Sequence, residues 1–147
     1  MLSKLFGKKN PSKEYVPPVL ENLTPVQQRH YERFKGVLKD FCLGKDIENP
    51  SNDVLYIGIS DGYLGSIPVG EVTPDGTVYL KYPKPQPIDS SGFREVLSGT
   101  LRLRETLEKE RISYKENISR DKYAQQVREV SNVAISSLEA RIKSSAN

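Results

Sequence analysis

The fold is decided by residues 54–82, VLYIGISDGYLGSIPVGEVTPDGTVYLKY. Apolar residues alternate with small or polar ones over 55–59 and again over 77–82, and a period of two is typical of strands with one buried face. Two turn signals, Asp61-Gly62 and Pro74-Asp75-Gly76, separate the alternating runs. The stretch therefore predicts an antiparallel meander of three or four strands.

The segment before the meander predicts one amphipathic helix. Thr24 suits the N-cap, and Pro25 suits the first helical position. Gln27 completes a capping box, because its side chain can reach back to the Thr24 amide. Apolar residues follow at steps of mostly three and four as far as Phe41, and Gly44 is a typical C-terminal stop. We expect this helix to cover the apolar face of the meander.

Residues 92–147 predict a long helical region, since they contain no proline and, after Gly99, no glycine. Two apolar stripes at helical spacing do not join in phase. This leaves open a single coiled-coil rod with a stutter and an αα-hairpin that folds back near Ser119. A body of about 60 residues is too small to cover so long a helix, so we expect the stripes to pack on another chain. The predicted partner-binding residues are Val96, Leu103, Leu107, Tyr114, Val127, Val130 and Ala134.

Charge is divided unequally along the chain, although its net value is only +3. Residues 1–13 contain four lysines and no acid, residues 14–91 have a net charge of −4, and residues 92–147 have a net charge of +3. Opposite charges of this kind allow the basic start of the chain to attach to a neighbouring molecule. The predicted anchor residues are Lys4, Phe6, Lys8 and Lys9.

These patterns together predict an α+β protein. Its N-terminal amphipathic helix packs on a small antiparallel meander, and a long C-terminal helix or αα-hairpin follows. The predicted parts are a flexible basic arm at 1–20, a small α+β core at 21–82, a proline-rich spacer at 83–91 and a helical assembly region at 92–147.

Composition excludes several classes of function. The mean hydropathy is −0.56 and no run of about 20 apolar residues occurs, which excludes a transmembrane helix. One cysteine and one histidine supply neither an internal disulfide nor a Cys/His zinc site. The single histidine, His30, is predicted at the surface. The run GISDG at 58–62 has the spacing Gly-x-Ser-x-Gly, but the predicted hairpin turn at Asp61-Gly62 explains it, and no phosphate-binding glycine loop occurs. We therefore expect no enzymatic activity, catalytic residue, metal, cofactor or small-molecule substrate, and a cytoplasmic location without a signal peptide.

The predicted function is that of a non-enzymatic structural or adaptor subunit. It would dock to a protein partner, or to itself, through residues 92–147 and the basic arm. One alternative is binding of RNA or a ribonucleoprotein through the basic arm and a strand face. Tyr56 and Tyr79 are expected on that exposed face with Lys81, and aromatic rings beside lysines can stack on bases. A second alternative is a peripheral membrane adaptor anchored by residues 2–9, whose three lysines and three apolar residues give weak contact with an anionic surface.

Overall fold

Four helices and a five-stranded sheet occur in residues 22–45, 53–60, 66–131 and 136–144, the parts that the computed structural model describes. This arrangement confirms the predicted α+β class. The helices are α1 (Pro25–Phe34), α2 (Ser91–Lys109), α3 (Arg120–Ser131) and α4 (Ser136–Lys143). The strands are β1 (Cys42–Gly44), β2 (Leu55–Ser60), β3 (Ser66–Val72), β4 (Val78–Leu80) and β5 (Tyr114–Glu116). Predictions that fall outside the described residues concern the arm with Lys4, Phe6, Lys8 and Lys9, the Asp61-Gly62 turn, and Ala134.

The sheet is an antiparallel meander extended by one parallel strand. Its order is β1-β2-β3-β4-β5, and only the β4–β5 pair in this described sheet is parallel. Strands β2, β3 and β4 follow the predicted antiparallel course. The predicted turn lies between β3 and β4, where Asp75 Oδ1 accepts a hydrogen bond from the Thr77 amide at 3.0 Å. Strands β1 and β5, of three residues each, are additions that the alternating pattern does not predict.

Helix α1 begins as predicted and ends earlier. Thr24 Oγ1 accepts from the Gln27 amide at 3.1 Å, and Gln27 Oε1 accepts from the Thr24 amide at 2.9 Å, which completes the capping box. The helix ends at Phe34 rather than near Phe41, and Gly44 lies in β1 instead of stopping a helix. The cause is tertiary, because β1 pairs with β2 and this pairing satisfies backbone groups that a longer helix would have satisfied internally.

Helix α1 is attached to the sheet by two buried polar side chains. Gln27 Nε2 donates to the carbonyl of Val54 at 2.9 Å. His30 is only 6% exposed, so its predicted surface position is wrong. Its Nε2 lies 3.2 Å from the Pro74 carbonyl, and because a carbonyl only accepts, Nε2 carries the proton. The helix is therefore held at both the start of β2 and the β3–β4 turn.

Helix α2 connects the parallel strands β4 and β5, so the three elements form a βαβ unit. The helix ends in a Schellman motif, in which the Ile112 amide donates to the Leu107 carbonyl at 2.8 Å. Arg111 occupies the left-handed position of this motif with φ +60°, where glycine is usual. Because no glycine marks this turn, the sequence alone gives no sign that the helix ends here. The helix does end, at Lys109, so the predicted continuous rod is wrong.

The alternative αα-hairpin correctly predicts that a new helix begins near Ser119. It does not predict the structure that connects this helix to α2. Helix α3 begins at Arg120, directly after Ser119, whose hydroxyl accepts from the Lys122 amide at 3.3 Å. Residues 110–119 contain the Schellman turn and β5 rather than a short connection between two helices.

Helix α2 is buried on two faces, which makes the helical region part of the core. One face packs Leu103 and Leu107, both fully buried, with the apolar residues of the sheet. A second face packs Phe93, Leu97 and Leu101 with residues of α3 and α4. In the described part of the chain, helix α2 therefore lies between the sheet and the α3–α4 pair.

The predicted partner-binding stripes are largely covered by the chain itself. Leu103, Leu107 and Val127 are fully buried, so their predicted role as a surface for another chain is wrong. Val96 and Tyr114 are half-buried against the core cluster of the sheet. Val130, at the end of α3, remains 44% exposed.

Two residues of the predicted spacer at 83–91 are hydrogen-bonded to α3. The Tyr123 hydroxyl donates to the Pro83 carbonyl at 2.6 Å, and the Ile88 amide donates to the Ser131 hydroxyl at 3.0 Å. Its last residue, Ser91, is already the first residue of α2.

Two glycines allow α2 to approach the sheet closely. A Cβ on Gly99 would lie 2.6 Å from Ile59 Cδ1. A Cβ on Gly70 would lie 2.6 Å from the carbonyl oxygen of Tyr79 and 2.9 Å from Leu103 Cδ2. The first contact is with the end of a side chain, whereas the second is with backbone held in the sheet. Gly70 is therefore the more restrictive position.

We expect Gly70→Ala to lower the free energy of unfolding by about 1–3 kcal/mol, the usual cost of over-packing a core. The control is Gly92→Ala at the start of α2, where nothing lies within 4 Å of the added methyl group. That change should stabilise the protein by about 0.4–1 kcal/mol, because it lowers the entropy of the unfolded chain. Urea denaturation measures both values, and a Gly70→Ala protein as stable as the wild type would contradict the close approach.

Candidate functional site

The C-terminal end of helix α4 is held by a buried arginine of α2. The Arg104 side chain is 1% exposed, and its Nη1 donates to the Ile142 carbonyl at 2.7 Å and to the Tyr82 hydroxyl at 2.9 Å. Its Nη2 donates to the carbonyls of Arg141 at 2.7 Å and Ser144 at 3.2 Å. The end of a helix lacks internal donors for its last carbonyls and carries a partial negative charge. The guanidinium therefore supplies both the missing donors and the complementary charge.

A second arginine, Arg120 of α3, contacts the same end of α4. Its Nη1 donates to the Ser144 carbonyl at 2.8 Å. Its Nη2 donates to Glu108 Oε2 at 3.0 Å and to the Tyr114 hydroxyl at 2.6 Å. We refer to Arg104 and Arg120 together as the arginine clamp.

Two glutamates and two tyrosines complete the network around the clamp. The Tyr82 hydroxyl donates to Glu116, and the Tyr114 hydroxyl donates to Glu108. Burial raises the pKa of both tyrosine hydroxyls, and the hydrogen bonds to the carboxylates raise it further, so both groups stay protonated donors. Glu116 also lies 3.3 Å from Arg120 Nε. The charges of the two arginines and the two glutamates cancel, which makes the network a neutral structural unit.

A cleft of about 830 Å³ lies between the first half of α2 and the clamped helix α4. This volume is in the range of ligand-binding clefts in proteins, about 300–1,000 Å³. The floor is apolar, with Leu97 1% exposed and with Ile88 and Leu138 half-buried in the same cluster. The rim is polar and consists of Asp89, Ser91, Arg94, Glu95, Ser98, Ser137 and Arg141.

The rim of this cleft has a slight negative charge. Arg141 Nε and Nη2 lie 3.1 and 3.3 Å from the two carboxylate oxygens of Glu105, so this pair is neutral. The remaining charged side chains of the rim are one cation, Arg94, and two carboxylates, Asp89 and Glu95. The arrangement suits a ligand that has an apolar anchor and basic flanking groups.

The residues predicted to contact nucleic acid lie together on one face of the sheet. Gly70 of β3 faces α2, so its neighbour Glu71 points to the opposite face. The strand register places Tyr56 and Tyr79 directly opposite Glu71, one on each side of it. Lys81 Nζ lies 2.7 Å from Glu71 Oε1, which brings the third predicted residue onto the same face.

The charges of this face do not favour a polyanion. Lys115 of β5, which the sequence pattern does not predict here, has its Nζ 5.9 Å from the centroid of the Tyr79 ring. Glu71 neutralises the charge of Lys81 through their ion pair. Asp75 lies close enough to Lys115 for the two opposite charges to attract each other. Affinity for nucleic acid depends mainly on cations that neutralise phosphates. Binding of RNA at this face therefore stays a prediction.

Loss of the clamp should destabilise the fold strongly. We expect Arg104→Met to lower the free energy of unfolding by about 3–5 kcal/mol, because it leaves buried carbonyls of α4 without donors. Hydrogen exchange of the α4 amides should accelerate in the same variant. Arg102→Met is the control on the same helix. The side chain of this exposed arginine contacts the Phe41 ring, and its loss should cost less than about 1 kcal/mol. Equal losses in the two variants would contradict a special role for the clamp.

The raised tyrosine pKa values predict a loss of stability at high pH. Tyr82 has a pKa above its ordinary value of 10, first because of burial and then because of its hydrogen bond to Glu116. Since the folded state holds this proton more tightly, its contribution is complete below about pH 10 and is lost as the pH rises further. Above pH 10, the free energy of unfolding of the wild type should fall as the pH rises. Tyr82→Phe should make this fall less steep by about 1.4 kcal/mol per pH unit. Urea denaturation between pH 8 and pH 11 measures the slope, and an unchanged slope would contradict the assignment.

Neither a metal site nor a membrane-spanning helix occurs in the described part of the chain. His, Cys, Asp and Glu side chains do not form a group of three or more there that could hold a metal ion. None of the helices in those ranges combines the length and the apolar character needed to cross a bilayer. Comparisons with protein-family models, with curated proteins and with solved structures found no match to this chain.

Proposed function

We propose that the chain is a non-enzymatic adaptor that docks a segment of a protein partner in the cleft between α2 and α4. The observation that supports this most directly is the apolar floor of Leu97 and Leu138 beneath a rim with both signs of charge. An apolar side chain of the partner would be buried on the floor, which contributes about 1.5–3 kcal/mol. Polar groups on the rim would fix the orientation of the segment.

The fixed walls of the cleft support docking of one specific segment. The arginine clamp holds α4, and the hydrogen bond from the Ile88 amide to Ser131 holds the other end of the cleft against α3. A preorganised site loses little conformational entropy when it binds, so more of the contact energy appears as affinity. Most of the conformational entropy lost on binding would then be lost by the partner segment.

This proposal keeps the helical region as the docking element and changes the residues that do the docking. The predicted stripe residues Leu103 and Leu107 serve the core instead. The exposed residues Arg94, Glu95 and Ser98 project from another side of α2 and border the cleft. The function predicted for residues 92–147 is thus proposed for a different face of the same helix.

A bulky side chain at Ser98 tests the proposal without removing a core residue. Ser98 is exposed on the rim, so Ser98→Trp should fold normally and fill the cleft. We expect recovery of the partner to fall at least tenfold, which corresponds to about 1.4 kcal/mol of binding free energy. The measurement is quantitative mass spectrometry after affinity purification of the full chain from its native cell extract.

The matched control is Ser136→Trp, at the exposed first residue of α4 and outside the lining of the cleft. It should recover the partner as well as the wild type does. If the wild type and both variants recovered every co-purifying protein equally, docking in the cleft would be wrong.

A further inference from the structure

The sequence ahead of the described residues contains a segment with the chemistry that the cleft requires. Residues 2–9 read LSKLFGKK, with the adjacent apolar side chains Leu5 and Phe6 and with lysines on both sides of them. We infer that this segment occupies the cleft of its own chain when no partner is bound. The inference rests on the proposed docking function and names the first occupant of that same site.

Charge complementarity supports this occupant. Residues 1–13 contain four lysines and no acid, whereas the rim of the cleft has one cation and two carboxylates beyond the neutral Arg141–Glu105 pair. With Phe6 on the apolar floor, the lysines that follow it would face Asp89 and Glu95. Burial of one large aromatic side chain and contact of opposite charges act in the same direction.

The length of the chain outside the described part allows this contact. Phe6 and the first described residue, Asn22, are separated by sixteen peptide units, which can span about 50 Å at about 3.3 Å per residue. A domain of about 100 residues has a radius of gyration of about 13 Å and hence a diameter of about 34 Å. Residues 2–9 can therefore reach the cleft across the surface of their own chain.

Attachment within one chain is favoured over attachment to a second copy. A connecting segment of this length gives an effective local concentration in the millimolar range. At micromolar concentrations of protein, the segment of another copy competes poorly against that value. A partner protein must then displace residues 2–9, which raises its apparent dissociation constant by the ratio of closed to open forms. The segment would thus regulate the proposed docking site.

Zero-length cross-linking of the full chain tests the contact. A carbodiimide joins a lysine amine to a carboxylate only when the two groups touch, so Lys8 or Lys9 should become linked to Asp89 or Glu95. A mixture of ¹⁴N-labelled and ¹⁵N-labelled protein distinguishes links within one chain from links between copies. We expect links within one chain, and mass spectrometry of the digested peptides reads out both the sites and the isotopes.

Two double variants provide the matched comparison. Leu5→Asp with Phe6→Asp should reduce the yield of these links at least fivefold, because the apolar anchor is lost while all lysines remain. Val16→Asp with Val19→Asp adds the same charge to the same part of the sequence and should leave the yield unchanged. Equal yields in the two variants would overturn the assignment of the anchor.

Other outcomes separate this inference from the proposed function. If links were found only between differently labelled chains, the inferred contact within one chain would be wrong, and a contact between two copies would take its place. Links of Lys8 and Lys9 to carboxylates away from the cleft would overturn the inference even if Ser98→Trp still abolished partner recovery. In the reverse case, with the expected links present and recovery unaffected by Ser98→Trp, the inference would stand and the proposed partner docking would fail.

Discussion

A charged guanidinium in the interior of a protein needs hydrogen-bond acceptors for most of its N–H groups, and this need at Arg104 organises the C-terminal half of the fold. Its partners are the last carbonyls of α4 and the hydroxyl of Tyr82, so α2, α4 and the segment after β4 have to meet at one place. Its Nε has no hydrogen-bond partner within the described residues. Desolvation of the cation offsets much of what the hydrogen bonds contribute. The clamp therefore fixes the position of α4, and the loss of Arg104 is costly mainly because it leaves the carbonyls at the end of α4 without donors.

Local signals predicted the elements that local chemistry determines. The alternation over 55–59 identified β2, and the capping box at Thr24 identified the start of α1. Strands β1 and β5 have three residues each, which is too short for a periodic signal, and they form only because neighbouring strands pair with them. The end of α2 was hidden for another reason. A left-handed turn is usually marked by glycine, whereas here Arg111 adopts that conformation and the Schellman hydrogen bonds hold it there.

The cleft could be predicted only in part. Phe93, Leu97 and Leu101 recur every four residues beside Leu103 and Leu107, and the two sets together indicate a helix that is buried on two sides. That signal would have placed α2 inside the core and removed the need for an external partner to cover it. The other wall of the cleft is α4, and the contact that positions it joins residues 38 apart in the sequence. No local spacing encodes such a contact, so the site becomes visible only in the folded chain.

Several cations of residues 92–147 are already paired within the structure, and this limits which surface can bind an acidic or a basic ligand. An arginine or lysine already paired with a carboxylate cannot neutralise another anion without loss of the first contact. Within residues 92–131 and 136–144, ion pairs join Arg120 to Glu108 and Glu116, Arg128 to Glu139, Arg141 to Glu105, and Lys143 to Glu139. Residues 1–13, in contrast, have four lysines and no acid among them. Contact of these lysines with a phosphate surface would satisfy their charge and leave the half-buried side chains of Ile88 and Leu138 partly in water. The inferred contact with the cleft would satisfy the charge and also cover those two side chains.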